Sequence, residues 1–182
     1  MQPNYDADEL NAVNEAKNLV HTKPKEAPEL LNAVIARHQS EGKIGCALEA
    51  RRWQCFALMS NLEYEKANVH IDLLVDEANL AGQRRYFGIA EMYRGIISVD
   101  CGQSDSAVEY FDHAIQLATE LEDLDLMYRV QTNLAYALTM QERYEDALLT
   151  LKNCGKRFGQ NAVDSQPLNA SSLRQCNWRL VK

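Results

Sequence analysis

Apolar and small residues recur along this chain at a fixed interval of 40 residues. The interval is marked by Ala27, Ala67, Ala107 and Ala147. Four residues after each alanine stands Leu31, Ile71, Phe111 or Leu151, and three residues further on stands Val34, Leu74, Ala114 or Cys154. Positions separated by four and seven residues lie on one face of an α-helix. The pattern therefore predicts four helices that carry the same apolar stripe.

A second helix is predicted in front of each of these four. Twelve residues before the alanines the chain has Glu15, Cys55, Gly95 and Ala135, and three of these four residues are small. The segments 43–61, 84–101 and 124–141 contain no proline and many residues that favour a helix. A small residue lets two helices cross closely, so each unit is predicted to be a helix pair. The predicted units are 8–41, 48–81, 88–121 and 128–158. Asn61 and Asp105 are candidates to cap helix ends.

These units resemble the tetratricopeptide repeat. The third unit shows the pattern most fully, with Gly95, a turn at Gly102, and then Ala107, Phe111 and Ala114. The second and fourth units carry parts of the same pattern at Cys55, Tyr64, Ala67, Ile71, Ala135, Tyr144 and Ala147. The first unit departs from it at Glu15, and the period of 40 exceeds the length of about 34 that is typical of the family. The resemblance implies an all-α, right-handed superhelix of four stacked helix pairs, since one pair alone cannot bury its apolar face.

The chain is predicted to form one domain, 1–182, with a further helix near its C-terminus. After Pro167, the segment 167–180 places Leu173, Cys176 and Leu180 at helical spacing, beside Trp178. One interpretation is a capping helix that covers the end of the stack. The other is a docking element, or the first part of a longer chain.

Composition and charge narrow the class of partner. The net charge of −7 argues against nucleic acid, which requires a basic surface. The acidic N-terminus is unlike a secretory signal, and no apolar stretch approaches the ~20 residues that a membrane span needs. Five widely spaced cysteines are typical of free thiols in a reducing compartment. We therefore expect a cytoplasmic protein with neither a membrane nor a nucleic-acid partner.

Motifs for catalysis are not found. The sequence has no phosphate-binding glycine loop, no Gly-x-Ser-x-Gly and no His-x-x-x-His. Glu109 and His113 lie four residues apart and are interpreted as a surface pair. Cys55 replaces the small residue at a helix crossing, and Cys154 replaces the last alanine of a helical stripe, so both are interpreted as core residues. No catalytic residue, metal or cofactor is predicted, and we expect the chain not to be an enzyme.

The resemblance implies a partner-binding groove lined by the first helix of each pair. The positions projected onto it are Arg52, Phe56, Met59, Ile89, Met92, Ile96, Arg129, Thr132 and Tyr136. The set from the third unit is unusually apolar, while Glu91 and Arg94 of the same helix are three residues apart and are expected to pair. Two interpretations are open. Either the apolar strip is exposed and accepts a helix, a peptide or a second copy of the chain, or the long pairs curl tightly and bury it.

A protein–protein interaction module is the predicted function, with helix-in-groove docking as the expected mode. By resemblance alone, repeats of this length suggest the sensory or regulatory domain of a bacterial signalling protein with a diguanylate cyclase or DNA-binding output domain. The alternatives are a free-standing adaptor or self-associating scaffold, or a sensor that binds a peptide or small ligand within the superhelix.

Overall fold

Eight helices make up the part of the chain that the structure, a computed structural model, describes, residues 7–159; no strand is found there. The helices are α1 (Ala7–Thr22), α2 (Ala27–Ser40), α3 (Ile44–Ser60), α4 (Tyr64–Leu80), α5 (Arg85–Asp100), α6 (Ser104–Glu120), α7 (Leu124–Met140) and α8 (Tyr144–Gly159). The predicted all-α class is confirmed. The C-terminal helix predicted over 167–180 lies outside the described residues.

The helices form a two-layered solenoid. Each helix packs against the next one in sequence, and in addition α1 contacts α3, α3 contacts α5, and α5 contacts α7. The odd-numbered helices therefore form an inner layer, and the even-numbered helices lie outside it. The buried positions reflect this difference, because α3 and α5 are buried on most sides whereas α4 and α6 bury one stripe each.

Six of the seven turns share one geometry that repeats every 20 residues. A residue in the left-handed region stands at Gly42, Leu62, Gly82, Gly102, Glu122 and Glu142. The N–H of the next residue then donates to the carbonyl five residues back, as from Gln103 to Ser98 at 2.7 Å. This hydrogen bond is that of a Schellman motif, which ends a helix and satisfies its free carbonyls. The turn between α1 and α2, which contains Pro24, has no such residue.

The repeated stripe fills the space between the layers. Ala27, Ala67 and Ala107 are completely buried, and Ala147 is nearly so. Gly95 shows why the crossing site must be small, because a Cβ there would lie 2.5 Å from Cε1 of Phe111. The prediction of equivalent packing holds for these positions.

The stripe departs from the prediction at both ends. In the first unit Glu15 is not in the core but pairs with Arg37 at 2.5 Å, and Ala12 and Ala16 fill the contact instead. In the fourth unit Leu151 is 46% exposed. The end units therefore differ from the interior ones because each lacks a described neighbour on one side.

The two predicted helix caps are wrong. Asn61 follows α3, and its Nδ2 donates to the carbonyl of Pro24 at 3.0 Å. Asp105 lies inside α6 and accepts a hydrogen bond from Gln141 at 2.8 Å. The Asn61 side chain thus joins two turns of the solenoid, and the Asp105 side chain joins α6 to the turn that follows α7. A cap is made instead by Asp123, whose carboxylate accepts from the N–H of Leu126 at 2.9 Å.

Candidate functional site

The predicted groove positions occupy the inner layer, but their accessibility differs from one helix to the next. On α3, Arg52 and Met59 are buried, and on α5, Ile89 and Met92 are buried. The half-buried members of the set are Phe56, Ile96, Arg129, Thr132 and Tyr136. The prediction that Arg52, Met59, Ile89 and Met92 line an open groove is therefore wrong.

Close helix packing explains this burial. A Cβ at Gly88 of α5 would lie 2.7 Å from Cδ2 of Leu126 on α7, so glycine brings these two inner helices together. Gly95 does the same for α5 and α6. Ile89 and Met92 consequently belong to the main hydrophobic core. Of the two interpretations open from sequence, tight curling with buried side chains describes this part of α5.

A buried carboxylate connects two inner helices. Glu49 of α3 is completely buried, and it accepts hydrogen bonds from Nε of Arg52 at 2.8 Å and from the hydroxyl of Tyr86 on α5 at 3.0 Å. Nη2 of Arg52 lies 2.6 Å from the same carboxylate. A buried charge is tolerated only when it is paired and hydrogen-bonded, and both conditions are met here.

The ionic network continues to the third inner helix. Arg85 of α5 lies 3.8 Å from Glu49, and its Nε donates to Asp123 at 2.5 Å, just before α7. Its Nη2 lies 3.2 Å from Asp125, which in turn is 3.9 Å from Arg129. Glu49, Arg52, Arg85, Asp123 and Asp125 are here called the inner ionic network. The inner ionic network thus links α3, α5 and α7 to one another near their N-terminal ends.

A second polar cluster lies between α2, α3 and α4. Arg51 pairs with Glu77 at 2.6 Å, and Glu77 also accepts from Gln39 at 3.1 Å. Nε2 of Gln54 donates to the carbonyl of Pro28 at 2.7 Å. A polar cleft of about 290 Å³ lies above Gln54. These groups satisfy one another, so we assign the cluster a structural role.

The buried or half-buried histidine and cysteine side chains of α3, α4 and α8 are poor candidates for catalysis. Burial, with a smaller contribution from Arg51, lowers the pKa of His70. Burial raises the pKa of the Cys55 thiol to about 12, and it also raises the pKa of Cys154. Because the thiolate is the reactive form, these two cysteines are held in an unreactive state.

His113 does not pair with Glu109 as expected; its Nδ1 lies 3.5 Å from Glu91 on α5. Glu91 also accepts from Arg94 at 2.6 Å, which confirms the predicted pair. Among residues 7–159, no group of three or more histidine, cysteine or acidic side chains is placed to hold a metal ion.

One row of inner positions remains partly accessible. Phe56, Ile96 and Tyr136 are each separated by 40 residues, so they occupy the same position on α3, α5 and α7, and all three are half-buried against the core. Phe56 also packs edge-on against Trp53, with 5.6 Å between the ring centroids. We call these three residues the inner row. On α7 it is flanked by Arg129, Thr132 and Thr139, which are also half-buried.

No protein-family model and no curated protein matches this chain. Among the helices of the described part, none combines the length and the apolar character needed to cross a membrane.

Proposed function

We propose that this chain is a non-catalytic protein–protein interaction module that binds a helix or an extended peptide along the inner row. The observation that carries the proposal is the accessible row of Phe56, Ile96 and Tyr136 on a rigid helical scaffold. Aromatic residues such as tyrosine, together with arginine, contribute most of the binding energy at protein interfaces. The resemblance to tetratricopeptide repeats supports the same function.

The α7 end of the row is the preferred contact. Its positions Arg129 and Thr132 are half-buried, whereas their equivalents on α5, Ile89 and Met92, are buried. The Arg129 side chain is 36% exposed and lies at the long distance of 3.9 Å from Asp125. It is therefore available to a carboxylate of a partner. The partner that fits is an amphipathic helix with an apolar residue against Tyr136 and an acidic residue against Arg129.

The biological setting that we propose rests on the sequence resemblance and on the free cysteines alone. It is a cytoplasmic regulatory domain of a bacterial signalling protein, in which the module senses a partner and controls an output domain.

Site-specific photo-crosslinking tests the surface. A photoreactive residue placed at Tyr136 is expected to capture a protein in cells of the source organism, whereas one at Leu149, on the outer helix α8 and 58% exposed, is not. The purified partner is then titrated against variants. Tyr136→Ser is expected to weaken binding at least tenfold, and Leu149→Ser is the matched control. Equal capture at both sites, or unchanged affinity in Tyr136→Ser with an unchanged melting temperature, would contradict the proposal.

A further inference from the structure

The outward face of α4, with the turn just before it, carries a row of residues in which spacings of four and three alternate. This spacing is typical of a seam between two helices. The members are Leu62, Lys66, Val69, Leu73, Asp76 and Leu80, and we call them the outer row. All six are exposed, Val69 by 59% and Leu80 by 88%. The opposite face of α4, which contains Ile71 and Leu74, is the buried one. The outer row is thus accessible to another molecule.

The neighbouring outer helix shows that the solenoid does not need apolar residues at these positions. Forty residues later, in the same order, stand Gly102, Ser106, Glu109, His113, Gln116 and Glu120. At Leu62 the apolar residue is unfavourable in two ways, because its side chain is exposed and its backbone adopts the left-handed conformation that favours glycine. A contiguous exposed apolar row on one helix indicates a surface that another molecule covers.

The order of charged and apolar residues makes the outer row complementary to itself. Lys66 and Asp76 each lie five residues from Ile71, and Val69 and Leu73 each lie two residues from it. When two copies of α4 lie antiparallel about a two-fold axis beside Ile71, each Lys66 faces Asp76 of the second copy. The same register sets Val69 against Leu73 of the second copy, and the outermost leucines against each other. Opposite charges therefore meet in two layers, and apolar side chains meet in the other four.

Other arrangements of two α4 helices are less favourable. A shift by one heptad sets Asp76 against Leu73 in one direction and Lys66 against Val69 in the other. A charge that loses water without gaining a partner is costly. A parallel pair in register sets each Lys66 against Lys66 of the second copy, so like charges repel. The sequence of the row therefore favours one orientation and one register.

The charged side chains of the row are able to make this contact. Asp76 is exposed and forms no ion pair with another described residue. The Lys66 side chain is 69% exposed, and its contact with Glu63 at 2.6 Å is a surface ion pair, which contributes little to stability. Asp72, next to the row, pairs with Arg94 at 2.7 Å, so its negative charge is balanced within the same chain.

We propose that this chain forms a two-fold symmetric homodimer in which the outer rows of two α4 helices pack against each other antiparallel. The same surface of both copies forms the interface, as two-fold symmetry requires. An interface made by one helix from each copy is small for a specific contact, so we expect a dissociation constant on the order of 10 μM. Because α4 belongs to the outer layer, the inner row of each copy stays accessible. The dimer is thus independent of the function proposed for the inner row.

Sedimentation equilibrium of the full-length chain, over a range of about 1 to 500 μM, measures the dimer. Val69→Asp is expected to raise the dissociation constant at least tenfold, because it places a carboxylate against Leu73 of the second copy in two symmetric layers. Ser106→Asp is the matched control, since Ser106 lies at an equivalent of the outer row on α6. The melting temperature should be unchanged in both variants, as both positions are exposed.

An exchange of the two charges tests the register. Lys66→Asp opposes two carboxylates in each charged layer, and Asp76→Lys opposes two ammonium groups, so each is expected to weaken the dimer at least tenfold. The double variant Lys66→Asp/Asp76→Lys restores opposite charges, and its dissociation constant is expected to lie within about threefold of that of the unmodified protein. Gln116→Lys, at the position of Asp76 on α6, is the matched control and should not change the dimer.

Any of three results would overturn the proposal. One is a chain that remains monomeric over the whole concentration range. Another is a dimer that Val69→Asp leaves intact, because the contact would then lie on another face. The last is a double charge variant that dimerises as weakly as the two single variants, because Lys66 and Asp76 of the two copies would then not face each other.

Discussion

The third helix pair (α5 and α6) and the fourth (α7 and α8) have the same arrangement, but equivalent positions in the two pairs differ in residue type and in burial. On the inner side, Ile89 and Met92 of α5 are buried, and Arg129 and Thr132 replace them where α7 is more open. On the outer layer, Phe111 of α6 is completely buried, whereas Leu151 at the same position of α8 is 46% exposed. Burial in a solenoid is thus conferred by the neighbouring unit. The polar replacements on α7 fit a face that meets water or a partner.

The largest expected effect on stability comes from the inner ionic network. Its members are buried at α3 and partly exposed at α7. Glu49→Ala leaves the Arg52 guanidinium buried without its carboxylate, and it is expected to lower the free energy of unfolding by about 3–5 kcal/mol. Asp125→Ala removes a partly exposed member and is expected to cost below about 1 kcal/mol. Urea unfolding measures both. Similar losses in the two variants would show that the network is equally buried along its length.

Met92 on α5 and Thr132 on α7 occupy equivalent positions of the inner layer and give the next comparison. Met92→Ala is expected to lower the free energy of unfolding by about 3 kcal/mol, because a core side chain is replaced by a cavity. Thr132→Ala, 40 residues later on α7, is expected to change it by no more than about 0.5 kcal/mol. Chemical denaturation of both variants checks this, and a loss in Thr132→Ala that matches the loss in Met92→Ala would contradict it.

A buried histidine in the first pair is expected to make the stability of the fold depend on pH. His38 is buried where the second and third units have Ala78 and Ala118. Burial, with repulsion from Arg37, lowers the pKa of His38 below its ordinary value of 6.5. The unfolded chain therefore takes up a proton more readily than the folded one, and stability is lost as the pH falls through 6.5.

The measurement is the free energy of unfolding at pH 7.5 and pH 5.5. The decrease between the two is expected to be smaller in His38→Ala than in the unmodified protein. An identical pH dependence in the two proteins would assign the decrease to other groups.

The smallest effects on stability are expected from substitutions in the turns. Glu122 and Glu142 adopt a left-handed conformation that glycine adopts without strain. Glu122→Gly and Glu142→Gly are each expected to stabilise the fold by roughly 0.5–1 kcal/mol, with thermal unfolding as the measurement. Gly102→Ala is the reverse control and should destabilise. A lower melting temperature in both glycine variants would show that the turns are not strained.

The 40-residue period was enough to predict the helix pairs, because it marks buried small residues such as Ala107 and, at Gly95, a contact in which a Cβ would lie 2.5 Å from Phe111. The 20-residue period of the turns was not visible, since Leu62, Glu122 and Glu142 stand where a glycine would have marked it. Only the structure shows that these three residues adopt the left-handed conformation.

The candidate site was predicted less well than the fold. The spacing placed Phe56, Ile96 and Tyr136 correctly on the inner layer, but the accessibility of Ile89 depends on how closely α7 approaches Gly88. Contacts such as the one between Glu49 and Tyr86 join residues 37 positions apart on different helices. No local pattern in the sequence identifies such pairs.

The even spacing of the turns also bears on how the molecule can change in length. Every join from Gly42 to Glu142 uses the same backbone geometry at the same interval. A tandem copy of residues 84–123 would therefore meet, at both of its borders, the connection that is already present. Growth or loss by whole hairpins is open to this architecture, whereas an insertion of a few residues within a helix would shift every later side chain out of alignment with the layer it serves.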